Sequence, residues 1–391
     1  MLKLFFELIC FMMTIKNGLV LIGHNLKPVK TNVILNDEGR IIKLSPNDES
    51  GEIIDATNCI VTPAFINAHI HIGDSIAKDV GDGLTIKELV EPPNGLKHQI
   101  LEKASDEEII LSMHETAKEM LYSGISTFID FREGGLNGIQ QLKKAVYDLP
   151  INACILGRSE KYYNPQTTPE EARLITRELL QHCDGIGLSG LQDMNPEIIL
   201  QIVEVCQQED KLAVVHVAEY YELQQKSLEF TNQTEIERAL NYGFTTIVHA
   251  TTPIMNDYEL IDGTNPHIIS CPRSNGLLSS GIPPLSEYVQ LGVDVSLGTD
   301  NVMFNQPDMF REMEYALKSV RGAYDKSITA KDILKMATIN GFKILGKDIS
   351  IQEGNISDIL LIKQKSEDPY LSIVNRSSKE DIVNFIMGNQ M

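Results

Sequence analysis

The stretch Phe65–Ser75, FINAHIHIGDS, decides how the rest of the chain is read. Two histidines, His69 and His71, stand two apart at the end of an apolar run and just before a Gly-Asp turn. If the run is a strand, positions i and i+2 carry both side chains to one side of it. Taken alone, the pair reads equally as surface polar residues or as half of a metal site. What separates the two readings is how often the same pattern recurs downstream.

It recurs as eight short apolar runs set between longer helix-like segments. The runs are VTPAFINAHIH (61–71), ISTFIDF (125–131), INACILG (151–157), DGIGLSG (184–190), LAVVHVA (212–218), TTIVHA (245–250), HIISCP (267–272) and VDVSLGTD (293–300). Between them lie segments such as DEEIILSMHETAKEMLYSG and TPEEARLITRELLQHC, with helical spacing of apolar residues. Eight strand–helix repeats predict an α/β chain whose residues 63–347 form a (β/α)8 TIM barrel. The longest insertion follows the first run and is placed to act as a lid.

The ends of the chain read differently. IKNGLVLIG, TNVILND, GRIIKLSP and GEIIDATN are short strand-like runs separated by Gly, Asn and Asp, as in consecutive hairpins. ISIQEGNISDILLIKQ (349–364) returns to that character. Residues 1–62 and 348–391 are therefore expected to form a small, discontinuous β-sandwich domain. MLKLFFELICFMM at the start is apolar but broken by Glu7 and too short to span a bilayer. Residues 1–12 read as an upstream start-codon artefact or a short disordered extension, with the first strand beginning near Met13.

Composition sets bounds on partners. The chain has 391 residues, 42% of them hydrophobic, and a formal net charge of −20. So acidic a surface repels nucleic-acid phosphates and anionic lipid head groups, which sets both aside as main partners. Cys10, Cys59, Cys154, Cys183, Cys206 and Cys271 form no CxxC pair. They read as buried reduced thiols, which favours the cytoplasm.

Polar residues collect where barrel enzymes keep their chemistry. His69 and His71 end the first run, His216 lies near the end of the fifth, His249 near the end of the sixth, and Asp300 ends the eighth. One strand-end histidine is more often structural than not, and Asp300 alone could cap a helix. Five such groups converging on one rim point to a site. Three neutral imidazoles and a carboxylate from His69, His71, His216 and Asp300 suit one divalent metal ion, Zn2+ first, with Fe2+ or Mn2+ as alternatives. Such a metal lowers the pKa of a bound water to about 7. Glu219, three residues beyond His216, is positioned to carry a proton, a role Asp300 could share, and His249 to polarise the attacked centre. Around the mouth, Arg132, Arg158 and Arg273 follow the second, third and seventh runs. They could hold an anionic or carbonyl group of a substrate, or pair with Asp130, Glu133 or Glu160 to fix loops. His98 in the insertion and Asn275 after the seventh run are further substrate-binding candidates. The fourth run carries no lysine, so nothing bridges two metals there. Met309, Phe310, Met313 and Leu317 have helical spacing and read as packing core.

These motifs resemble the amidohydrolase superfamily, in the branch holding S-adenosylhomocysteine/methylthioadenosine, guanine and cytosine deaminases and the triazine chlorohydrolases. VTPAFINAHIH is similar to that family's first strand, HVAE (216–219) to its His-x-x-Glu, and SCPRSNGLLSSGIPPLSEYVQLGVDVSLGTDN (270–301) to its segment joining strands seven and eight. The resemblance spans nearly the whole chain. It implies metal ligation by His69, His71, His216 and Asp300, proton shuttling by Glu219 and substrate contact by His249. It also implies a homodimer and hydrolytic deamination of an amino-substituted heterocycle, a small-molecule substrate. Hydrolysis of a cyclic amide, as in imidazolonepropionase-like members, uses the same kind of site and is the alternative. A barrel that binds metal or ligand without catalysis is a third reading, and it leaves Glu219 without a purpose. The chain has no Trp, and VEPPNGLKH (90–98) stands where nucleoside deaminases of the branch carry an aromatic stretch with Trp. That departure argues against adenosine-type substrates.

Overall fold

The computed structural model describes residues 12–85, 88–89, 95–192, 194–324 and 328–388. Residues 1–11, the body of the proposed N-terminal extension, and 90–94 of VEPPNGLKH lie outside the described residues. The chain forms two compact units, one running to Ala64 and resuming at Leu345, the other Phe65–Ile344.

The first unit opens with β1 (Met13–Lys16), β2 (Leu19–Ile22), β3 (Lys27–Lys30), β4 (Asn32–Leu35), β5 (Ile41–Ser45), β6 (Glu52–Asp55) and β7 (Cys59–Pro63). The second carries β8 (Phe65–His71), β9 (Ile125–Arg132), β10 (Asn152–Gly157), β11 (Gly185–Leu188), β12 (Leu212–Val217), β13 (Thr246–His249), β14 (His267–Ser270), β15 (Val295–Leu297) and β16 (Asp300–Asn301). The chain then returns to the first unit for β17 (Ile359–Lys363) and β18 (Ile382–Ile386).

In the first unit the strands make two sheets, ordered β5-β4-β1-β6 and β18-β17-β7-β2-β3. Ile15, Val33, Leu35 and Ile41 of one sheet and Val20, Val61, Ile359 and Leu361 of the other share one buried apolar cluster. That is the expected sandwich, and it is discontinuous because β17 pairs antiparallel with β7 across the whole intervening unit of sequence.

In the second unit all eight expected runs are strands, in the parallel order β15-β14-β13-β12-β11-β10-β9-β8-β16. The helices between them start where the sequence offers caps. Ser105 and Thr168 make capping boxes with Glu108 and Glu171, and Pro169 and Pro196 occupy first turns. The Met309–Ala323 helix buries Met309, Phe310, Met313 and Leu317, as the spacing required.

The eighth run differs from expectation in one respect. It is broken into β15, which pairs with β14, and β16, which pairs with β8 as Asp300 opposite Ile70 and Asn301 opposite His71. The break closes the barrel and has a steric cause. A Cβ on Gly298 would lie 2.6 Å from His69 Cβ and 2.8 Å from both its backbone N and O, so only glycine fits. Asn67 spans the gap, accepting from the Thr299 amide at 2.9 Å and donating to Thr299 Oγ1 at 2.7 Å.

Among the described residues no helix is long and apolar enough to cross a membrane. Cys59, Cys154, Cys183, Cys206 and Cys271 are buried, and none of them is in a disulfide.

Candidate active site

The end of β8 projects His69 and His71 to one side, with ring centroids 4.9 Å apart. His216, at the end of β12, brings its ring centroid to 4.7 Å from that of His69. Phe131, on β9, packs against all three rings, at 4.4 Å from His69, 4.9 Å from His216 and 5.9 Å from His71. This apolar floor explains the burial that pushes all three imidazoles below the ordinary histidine pKa.

The ring nitrogens converge on one carboxylate. His69 Nε2 lies 3.1 Å and His71 Nε2 3.5 Å from Asp300 Oδ1, and His216 Nε2 lies 3.2 Å from His69 Nε2. His216 Nδ1 must donate to the Leu188 carbonyl at 2.7 Å, so its neutral Nε2 carries a lone pair aimed at His69. Burial pushes Asp300 upward, but the hydrogen bond from His69 and the surrounding imidazoles hold it well below the usual carboxylate range. At neutral pH the set is therefore three neutral rings and one anion.

The His216 Nε2 lone pair, His69 Nε2, His71 Nε2 and Asp300 Oδ1 all point at one space, and a cation there takes the place of the proton that His69 Nε2 gives to Asp300. The edges also have the right length: a tetrahedron with metal–ligand bonds of about 2.0–2.1 Å has edges of about 3.3–3.4 Å. His69, His71, His216 and Asp300 thus fit a divalent metal, with all four donor atoms within 4.8 Å of one another.

A second cluster overlaps the first. Glu219, His249 and Asp300 also lie within 4.8 Å of one another, and Glu219 Oε2 is 3.9 Å from His249 Nε2. Burial raises the Glu219 pKa, and nearby Asp300 and Glu235 push the same way against His249. Asn275 fixes the tautomer of His249. Its Nδ2 donates to Thr251 Oγ1 at 2.7 Å, so its Oδ1 accepts from His249 Nδ1 at 3.1 Å and Nε2 is left facing Glu219. Asn275 is fully buried, so the structure places it behind His249 rather than among residues lining an open pocket.

Of the two readings open for the three arginines, substrate binding or pairing with nearby acids, the structure shows acid partners for each. Arg132 is buried with its guanidinium against Met113 Sδ and Gly73, and 3.8 Å from Asp130. It neighbours Phe131, which faces the histidines, so strand alternation turns it the other way. Arg158 pairs with Glu133, and Glu133 also receives Lys97 at 2.9 Å. Arg273 donates to the Gln306 carbonyl at 2.9 Å and lies 3.8 Å from Glu312. His98 is half-buried on the insertion helix Leu96–Lys103 and belongs to neither cluster.

Sequence reading missed several supports. Ser274 donates to Asp300 Oδ2, and Asn301 Nδ2 donates to Asp74 Oδ2 at 2.6 Å. Lys97, only 4% exposed, joins Asp74 at 2.8 Å to Glu133 and ties the insertion helix to the ends of β8 and β9. Ser274 lay between two residues already singled out. Lys97 carried no signal, because a lone lysine in a long insertion is ordinarily solvated.

Comparison with known proteins places this geometry. Residues 60–390 match the amidohydrolase family. The chain belongs to that family. This amidohydrolase is 43% identical over 382 residues to a Methanothermobacter thermautotrophicus protein provisionally named an aminohydrolase, covering 97% of this chain and 99% of the other. It is 26% identical over 378 residues to the 5-methylthioadenosine/S-adenosylhomocysteine deaminase of Thermoanaerobacter pseudethanolicus, covering 89% and 84%. Its fold superposes on an adenosine deaminase from Xanthomonas campestris, solved with bound zinc, with a TM-score of 0.83 at 17% identity over 97% and 92% of the two chains. As a member of the family the protein is a hydrolase acting on C–N bonds.

Proposed function

We propose that this amidohydrolase removes ammonia hydrolytically from a small amino-substituted heterocycle, using one divalent metal ion, Zn2+ in the first instance. The observation that carries the reading is the shared edge of the two clusters. Asp300 belongs both to the four-residue set that fits a cation and to the set containing Glu219 and His249. The names of the relatives, aminohydrolase and 5-methylthioadenosine/S-adenosylhomocysteine deaminase, support the same class of reaction.

A cation held by His69, His71, His216 and Asp300 supplies the Lewis acidity that lets water ionise near neutral pH. The remaining work falls to the side chains. Glu219, whose pKa burial has raised, takes a proton from the attacking water and returns it to the substrate nitrogen. His249, with Nδ1 held by Asn275, offers Nε2 to the substrate as charge builds on it. Ser274 holds the second oxygen of Asp300 so that the first stays turned to the histidines. One C–O bond forms, the exocyclic C–N bond breaks, and the proton carried by Glu219 leaves with ammonia.

The test is an ammonia-release assay across aminopurines, aminopyrimidines, aminopterins and aminotriazines with Zn2+-loaded protein. Ammonia in step with loss of a ring amine supports the proposal. Ring opening with no ammonia overturns it in favour of cyclic-amide hydrolysis.

A further inference from the structure

We infer that Glu235 is a positioning residue that sets the reach of Glu219, by gripping the backbone one residue before it. The inference rests on the proposed role of Glu219 as proton carrier.

Glu235 is the first residue of the helix Glu235–Tyr242, a position where a glutamate ordinarily faces water. Here it is only 1% exposed. Its Oε2 accepts from the Ala218 amide at 2.7 Å and its Oε1 from Gln192 Nε2 at 3.2 Å. Its own amide donates to Gln224 Oε1 at 2.8 Å, and Gln224 Nε2 donates to Asp257 Oδ2 at 2.9 Å. Asp257 in turn accepts from Thr234 Oγ1. The carboxylate is therefore braced by a buried network rather than free to swing.

What it grips is an unusual backbone. Ala218 has φ +49, a left-handed conformation that alanine seldom adopts. His249 and Ala250, at the end of the neighbouring strand, have φ +69 and +44. The two kinks are stitched together. Ala250 N donates to Val217 O at 3.0 Å, and Thr251 N and Thr252 N donate to Ala218 O at 2.9 and 3.0 Å. The Ala218 carbonyl is thus held from the β13 side and its amide from the Glu235 side. Together they fix the turn that sends the next side chain, Glu219, towards His249. A charge-assisted bond to a carboxylate is the stronger kind of hydrogen bond, which suits a strained peptide.

Two substitutions separate reach from charge. Glu235→Gln keeps an acceptor oxygen at the same reach, and Gln192 can turn its amide to meet the new NH2. Glu235→Asp keeps the charge but is one methylene too short for the Ala218 amide. With any ring amine that the wild type deaminates, Glu235→Gln is expected to hold kcat within about threefold. Glu235→Asp is expected to lower kcat tenfold or more, with KM and metal content unchanged. A crystal structure of Glu235→Asp should show Ala218 out of the left-handed region and Glu219 farther than 3.9 Å from His249. The inference is overturned if Glu235→Asp keeps wild-type kcat, if Glu235→Gln loses as much as Glu235→Asp, or if Ala218 and Glu219 do not move. Should the wild type release no ammonia from any ring amine, the proposed function fails by itself, and the crystal structure still decides the positioning role.

Discussion

At the scale of single residues, the site separates holding from reacting. His69, His71, His216 and Asp300 are proposed to hold the ion, and His69→Ala is expected to lower bound zinc, read by elemental analysis, well below one ion per chain. Glu219 is proposed to move a proton, so Glu219→Gln should leave metal content unchanged and lower turnover by about 10²–10⁴-fold, the range for a lost general acid–base. Glu219→Gln with wild-type turnover would remove Glu219 from the reaction. The holding residues were legible because histidine is rare in this chain and strand ends are recognisable. The arginines left two readings open for the complementary reason. A guanidinium after a strand is equally useful for tying loops, and only coordinates reveal that Glu133, Glu312 and Met113 already engage these three.

At the scale of elements, two features carry measurable weight. The helix Leu96–Lys103 is held to the barrel by Lys97 between Asp74 and Glu133. Lys97→Met would leave the Asp74 carboxylate buried without its cation, a kind of loss that costs about 3–5 kcal/mol. Faster amide hydrogen exchange in residues 96–103 and a lower urea midpoint are the expected readouts. Strand β14 begins at His267, whose burial lowers its pKa to about 4, with Nε2 2.6 Å from Ser296 Oγ. The folded value lies below the unfolded value of 6.5, so below 6.5 the unfolded chain takes up a proton that the fold refuses. Stability is full above 6.5 and falls as the pH drops towards 4, by roughly 3 kcal/mol for this group. Urea unfolding at pH 7 and pH 4.5 should show a smaller loss for His267→Gln than for the wild type, and that difference isolates the group from the site histidines. The strands themselves were readable from apolar runs and caps, since burial and turn chemistry are local. The break in the eighth run was not, because Gly298 is shaped by the backbone of His69, 229 positions earlier.

At the scale of the whole molecule, metal and stability are linked. A ligand that binds only the folded chain stabilises it by about 4 kcal/mol when its free concentration is a thousandfold above Kd. Stripping the metal should therefore lower the melting temperature by several degrees, and adding Zn2+ back should restore it. An unchanged melting temperature would mean that the cluster holds no tightly bound ion. The (β/α)8 architecture was legible because its repeat is written eight times over. The identity of the heterocycle was not, since it depends on loops whose side chains answer to neighbours far away in sequence.

The seam between β8 and β16 has a consequence for how the protein comes into being. His69 leaves the ribosome early, and Asp300 follows it 231 residues later. Synthesis at about 5–20 residues per second separates the two by some tens of seconds at the slower rate. During that interval the nascent chain has only His69 and His71 until His216 follows 147 residues after His69, no Asp300 carboxylate to complete them, and a first barrel strand, β8, with no partner on its β16 edge. Closure of the barrel and completion of the ligand set are one event, since the residue that pairs with Ile70 is the fourth donor. On the proposed ligand set an ion would be a clasp fastened last, and a truncated chain ending before Asp300 would lack the carboxylate that fastens it.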